Sequence, residues 1–180
     1  MTTHDQVTAT IETGRLRLRP YGLGDLAARS AMTADEEAMR FVNGPQGPQE
    51  NWFRLLRYAG HWALLGYGLF AVEERASGRF VGELGLADFR RGLGDDFDAA
   101  PEAAWILARW GWGRGFGTEA MAAAIAWHEQ AFGRSRTVCI IAPDNTPSLR
   151  LAEKLGYAPF REGCYHDHPV ILHERAAGLP

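Results

Sequence analysis

The chain has 180 residues, of which 46% are apolar and 23% charged, and its formal net charge is −3. That is one domain's worth of sequence, long enough to bury about 70% of its unfolded surface without a disulfide or metal staple. The balance excludes a wholly disordered chain, a collagen-like repeat and a small disulfide scaffold. The lack of a basic excess argues against a nucleic-acid partner, because phosphate neutralisation carries most of that affinity. The two cysteines, Cys139 and Cys164, lie in apolar or aromatic surroundings and are expected as reduced core residues of a cytoplasmic protein. Met1 to Thr13 is polar and lacks the basic start and apolar run of a signal peptide. No segment approaches the roughly 20 apolar residues that span a bilayer, so no membrane partner is expected. Residues 1–10 are expected as a flexible N-terminus and residues 11–176 as one folded domain.

In chain order, Ile11 to Pro20 alternates apolar and basic residues and predicts a half-buried strand. Asp25 is placed to cap a short helix through Ala34. Pro48 to Leu65 carries Trp52, Leu55, Leu56 and Ala59 at helical spacing, and Gly66 ends that helix. Tyr67 to Glu74 and Arg79 to Phe89 read as a hairpin about Ala76-Ser77-Gly78. Gly92 to Pro101, with three aspartates, reads as a loop, and Glu102 to Ala108 as a central strand. Thr118 to Phe132 is an Ala-rich helix with Met121, Ile125 and Phe132 on one stripe. Thr137 to Ala142 reads as a buried strand and Pro147 to Leu155 as a helix closed by Gly156. Tyr157 to Cys164 and Val170 to Glu174 form a closing hairpin. The order predicts a mixed α/β domain with antiparallel pairing early and a parallel crossover later.

The informative stretch runs from Trp105 to Ala120. A strand enters a loop with glycine at 111, 113, 115 and 117, and the loop enters a strong helix. Glycines let main-chain N–H groups approach an anion, the helix N-terminus adds orphan donors, and Arg114 adds a charge, so the stretch suits phosphate or pyrophosphate. A Walker A loop is excluded because no Gly-Lys pair exists. A dinucleotide variant, Gly115-Phe-Gly-Thr-Glu-Ala120 with Asp144 after the next strand, survives as an alternative, as does a purely structural connector.

Trp112-Gly113-Arg114-Gly115-Phe116-Gly117 resembles the (Q/R)-x-x-G-x-(G/A) acetyl-CoA motif of the GNAT superfamily of N-acyltransferases. Trp112 stands where Gln or Arg is usual, and an aromatic there is similar to the branch of the ribosomal-protein alanine acetyltransferases. The flanks Glu102 to Ala108 and Thr118-Glu119-Ala120 match as well, as do Asn145 to Tyr157 and His61-Trp62 with Gly66 to Val72. The resemblance implies a single-domain GNAT-like fold: a mixed, mostly antiparallel sheet, flanked by helices and splayed between the family's fourth and fifth strands, with residues 11–176 as the acetyltransferase domain. It implies acetyl-CoA as co-substrate and no metal. The main chain of Ile106, Leu107 and Ala108 would pair with the pantetheine arm as an added strand. Main-chain N–H groups from Trp112, Gly113, Arg114, Gly115, Phe116, Gly117 and Thr118 would hold the pyrophosphate. Asn145 would hydrogen-bond the arm or hold the splay, or else simply cap the helix that follows.

Acyl transfer to an amine needs a neutral amine, stabilisation of the thioester oxygen (here by a strand N–H near Leu107) and a proton for the departing thiolate. Many relatives use a Tyr in the last helix as that donor. This chain has Ala152 there, which leaves Ser148, one turn earlier, as the available hydroxyl; Tyr157 and Tyr165 are less well placed. Glu102, opening its strand, and Glu83, inside an apolar strand, compete as base, with Glu102 favoured. His166-Asp167-His168 reads as a polar hairpin turn rather than a metal site, and His128 as a helix-surface or core residue. The expected function is acetyl transfer from acetyl-CoA to a primary amine of a small molecule or a protein N-terminus. The alternative is a CoA-binding sensor or interaction module without turnover. The acidic balance favours a cationic or simple amine acceptor, read by the early helices and the last hairpin, and C-terminal edge strands suggest a homodimer.

Overall fold

A computed structural model describes residues 9–177. The expectation of a flexible N-terminus falls mostly on residues 1–8, outside that range; Ala9 is already packed in the core. Among the described residues, eight strands form one sheet in the order β1-β2-β3-β4-β5-β6-β8-β7, with six helices around it.

The expected first strand is two. β1 (Ile11–Glu12) and β2 (Leu16–Pro20) pair antiparallel with each other across a break at 13–15, where Thr13 Oγ1 accepts from Leu16 N. A 3₁₀ turn over Leu23–Asp25 precedes α1 (Leu26–Thr33). The Asp25 carboxylate does not cap forward into α1. It reaches back to Gly22 N at 2.8 Å and pairs with Arg19. The one-turn α2 (Glu36–Met39), capped by Asp35, was not expected because four residues show no period. α3 (Pro48–Leu65) has the expected bounds: Pro48 suits its first turn, and Gly66 leaves it left-handed at φ 75°.

β3 (Leu69–Glu74), β4 (Phe80–Ala87) and β5 (Glu102–Leu107) form an antiparallel meander. The expected loop before β5 holds α4 (Asp95–Asp98), one turn that buries Phe97. α5 (Phe116–Phe132) starts two residues before the expected Thr118, and its Phe132 is surface rather than core. β6 (Thr137–Ile141) then runs parallel to β5, α6 (Thr146–Lys154) follows, and β7 (Ala158–Tyr165) and β8 (His168–Arg175) close the sheet. His166 and Asp167, both at positive φ, make the two-residue turn between β7 and β8.

Neighbouring side chains on β3 serve opposite faces, as the two-residue period of a strand requires. Phe70 and Val72 join the main core with α5, whereas Leu69 and Ala71 pack with Tyr58 of α3. With helices on both faces, β3 and β4 read as apolar runs rather than alternations. Cys139 is buried and burial raises its thiol pKa; Cys164, contrary to expectation, is exposed on the edge strand β7. Among the described residues no helix is long and apolar enough to cross a membrane.

The sheet is not uniform. β4 and β5 share six paired positions, but β5 and β6 share one, Glu102 opposite Val138, closed by Val138 N to Pro101 O at 3.0 Å. Beyond that rung the two parallel strands diverge.

Candidate active site

The seam opens into a cleft of about 620 Å³ lined by β5, the β6–α6 connection, Tyr58 of α3 and the start of β8. Ala108 N donates to Val81 O on β4, so alternation along the strand turns the main chain of Ile106 and Ala108 toward β4 and that of Trp105 and Leu107 toward the seam. Of the three residues expected to pair with a ligand, Leu107 alone faces the gap, and Trp105 is its companion. The two-residue strand period could have shown this from the sequence. The Trp112 indole N–H donates to Leu107 O at 2.8 Å. An arm pairing along this edge would compete with that indole for the carbonyl.

The glycine loop follows directly. Gly113 and Gly115 adopt φ of 69° and 75°, which side chains strongly disfavour. The first helical bond of α5 runs from Glu119 N to Gly115 O, leaving Phe116, Gly117 and Thr118 N–H as orphan donors at the helix start. A Cβ on Gly117 would come within 3.1 Å of Leu107 and 3.2 Å of Leu151, so this glycine lets α5 sit close to β5 and α6. The charge of Arg114 is not free: its guanidinium pairs with Glu74 at 2.9 Å and lies over Trp110 and Phe116. Arg15 pairs with Glu119 and donates to Arg114 O, tying the loop to β2. An anion here would meet main chain first.

Asn145 Oδ1 accepts from Ser148 N at 3.3 Å, the helix-capping role. Ser148 lines the cleft, and Trp105 Nε1 donates to its Oγ at 3.1 Å. An indole N–H only donates, so this contact fixes the oxygen as acceptor and leaves the serine proton free to point elsewhere. Ala152 is fully buried; Tyr157 is buried against Thr137 and away from the cleft, whereas Tyr165 lines it.

The two candidate bases differ. Glu83 is fully buried, and both its oxygens are saturated. Oε2 accepts from Tyr21 at 2.8 Å and Arg29 Nε at 2.9 Å, and Oε1 accepts from Tyr58 at 2.9 Å and Arg29 Nη2 at 3.3 Å. Arg29 is itself fully buried and bonded to Asn51 and Gln46. A carboxylate with all its acceptor sites used cannot take a substrate proton without breaking this network, so Glu83 braces α1 and α3 against β4. Glu102 receives both contacts from one donor, Arg91 Nε at 2.8 and 2.6 Å, and keeps unused acceptor sites. Burial raises its pKa, and Arg91 and its hydrogen bond pull only partly the other way. Arg91 is in turn held between the Phe89 and Tyr165 rings. Sequence reasoning missed the arginine partners, because residues far apart in the chain give no local signal.

The profile of the acetyltransferase (GNAT) domain matches residues 15–158. The chain belongs to the GNAT acetyltransferase family. A protein assigned to the GNAT-family acetyltransferases from Bordetella pertussis is 36% identical, with TM-score 0.84 over 93% of this chain and 99% of that one. The uncharacterised protein YkkB of Bacillus subtilis (strain 168) is 29% identical over 114 residues, 61% of this chain and 63% of that protein. The match thus spans just under two thirds of YkkB. The ribosomal L7/L12 alpha-N-protein acetyltransferase RimL, solved with coenzyme A, shares the fold at TM-score 0.72 and 15% identity over 93% of this chain and 98% of that one. The GNAT sheet and its splayed seam are therefore as the sequence implied, and the family supports acyl-CoA-dependent acetyl transfer.

Proposed function

We propose that the protein transfers the acetyl group of acetyl-CoA to a primary amine, on a small molecule or a protein N-terminus. The observation that carries this reading is the seam: one rung joins β5 to β6, and the freed edge at Trp105 and Leu107 lies beside the Ser148 hydroxyl. The pantetheine arm lies along that edge and the pyrophosphate meets N–H groups between Gly113 and Thr118; the Trp112 N–H, expected to join them, is instead taken by Arg109 O at 3.1 Å. The residues present suit coenzyme A: the left-handed glycines leave the loop without side-chain bulk, and the helix start offers unused donors.

The amine nitrogen attacks the thioester carbon, forming the C–N bond. Leu107 N–H, on the seam side, steadies the developing oxyanion. As the tetrahedral centre collapses the C–S bond breaks. The amine's proton passes to Glu102, and the thiolate takes a proton from Ser148 Oγ. Proton exchange with solvent then restores both groups. The raised pKa of Glu102 brings it closer to the working pH of a base. Alignment of the two substrates does most of the work, because effective molarity alone covers much of the barrier.

A second reading, a CoA-binding module without turnover, is favoured by Ala152 at the usual tyrosine position and by the saturated Glu83. Thiol release from acetyl-CoA across a panel of amines separates the two. Amine-dependent release supports the enzyme; tight CoA binding with no release on any amine supports the module. A homodimer through the edge strand β7 is disfavoured by Pro159, Arg161 and Glu162 on that strand and by its bulge at 159–161.

A further inference from the structure

Arginines gather on the acceptor side of the cleft. Arg40, Arg54 and Arg91 line it, and Arg54 is shared with an adjoining hollow of about 400 Å³ that holds Arg57. Burial, and next the charges of Arg54 and Arg91, push the Arg57 guanidinium below its usual range, so these cations act on one another. Like charges set this close disfavour the fold unless something neutralises them.

The counter-charges in the chain are poor. Arg40 has Glu37 at 3.9 Å and Arg54 has Glu50 at 3.8 Å, and those glutamates are 54% and 50% exposed. Exposed pairs of this kind contribute little, because water and salt screen them. Among the described residues no carboxylate lies within ion-pair distance of Arg57. The deep acids of the cleft are already matched: Glu83 with Arg29, Glu102 with Arg91. The exposed acid, Asp144, sits after β6 on the coenzyme side, beside Asn145.

We propose that the acceptor is an amine that also bears an anionic group, a carboxylate or a phosphate, which docks against Arg40, Arg54 and Arg57 while the nitrogen faces Glu102. This rests on the acyl-transfer reading of the same cleft and adds the acceptor's charge. It reverses the expectation of a cationic acceptor drawn from the overall charge of −3. A net charge spread over the surface is screened beyond about 8–10 Å, so the three poorly matched guanidiniums decide what enters.

The test uses amines that differ in one anionic group: phenylalanine against phenethylamine, and O-phosphoethanolamine against ethanolamine. Each is titrated by calorimetry into the CoA-saturated protein, and thiol release from acetyl-CoA is followed in parallel. The anionic member of at least one pair should bind about tenfold tighter, with the advantage shrinking as salt rises from about 0.05 to about 0.5 M. Arg54→Gln and Arg57→Gln should each weaken the anionic member more than its partner, removing most of that advantage. The pair with the larger ratio distinguishes carboxylate from phosphate. Equal binding within both pairs, or an Arg54→Gln loss equal for both members, overturns the proposal. Selective binding of the anionic amine without thiol release would remove the acyl-transfer reading and leave anion recognition standing. Turnover that prefers the amines without the anionic group would do the reverse.

Discussion

On the coenzyme side of the cleft the functional groups are main chain: the β5 edge at Trp105 and Leu107, and the N–H groups of a loop kept open by Gly113 and Gly115. On the acceptor side they are side chains from α1, α3, β4 and the segment before β5, held by the buried Arg29–Glu83 pair and by Arg91–Glu102. Main-chain sites depend on backbone conformation, which short glycine patterns announce. Side-chain sites depend on contacts between distant residues, such as Arg29 with Glu83. The coenzyme half should therefore fail mainly by losing affinity, and the buried braces of the acceptor half by losing stability.

The largest effect expected is at the buried pair. Glu83→Ala strands a fully buried guanidinium and should cost about 3–5 kcal/mol, read as a fall in the urea midpoint. The double variant Arg29→Met with Glu83→Leu should recover most of it, because neither charge is then left alone. If Glu83→Ala instead folded with full stability and lost turnover alone, the carboxylate would be chemistry rather than brace.

Next comes the loop. Gly115→Glu places bulk and negative charge beside the orphan donors, in a left-handed conformation that costs a side chain about 1–2 kcal/mol. CoA affinity by calorimetry should drop beyond about 100-fold, or roughly 2.7 kcal/mol. Unchanged affinity would remove the site assignment.

Ser148→Ala sharpens the contrast within the seam. It removes the proposed proton donor while leaving the main-chain contacts, so turnover should fall about 10²-fold with CoA affinity within about twofold. Full activity in this variant would reject the donor role and leave the fold reading intact.

The smallest effect lies outside both halves. Burial lowers the pKa of His128, and likewise of His173, below the ordinary 6.5. Unfolded chains then bind more protons than native ones below pH 6.5, so this contribution is complete above that value and declines as pH falls through it. The melting temperature should decrease from about pH 7.5 to about pH 5.5, and less steeply in His128→Phe. An identical slope in the variant would assign the pH dependence elsewhere.

The same contrast explains what was legible in the sequence. The bounds of α3 followed from Pro48, Gly66 and the period between them, and the loop from its glycines. Cysteine burial followed for Cys139 but not for Cys164, whose apolar neighbours in sequence belong to an edge strand. The break at 13–15 leaves no sequence signal, because Ile11, Leu16 and Leu18 keep an apolar rhythm across a turn made by Thr13 Oγ1. Glu83 was visible as an anomaly in an apolar strand, yet its partners Tyr21, Arg29 and Tyr58 come from three other segments and become neighbours only on folding.

The lone rung between Glu102 and Val138 also divides the sheet mechanically. Five strands on one flank and three on the other are each continuous ladders, so they can breathe as separate cooperative blocks, joined by that rung and by the core that Cys139 and Ile141 share with α5. Deuterium uptake should map that border: quick at Trp105 and Leu107, slow on β4 and β8, and retarded along the border once a bound arm zips the blocks into one.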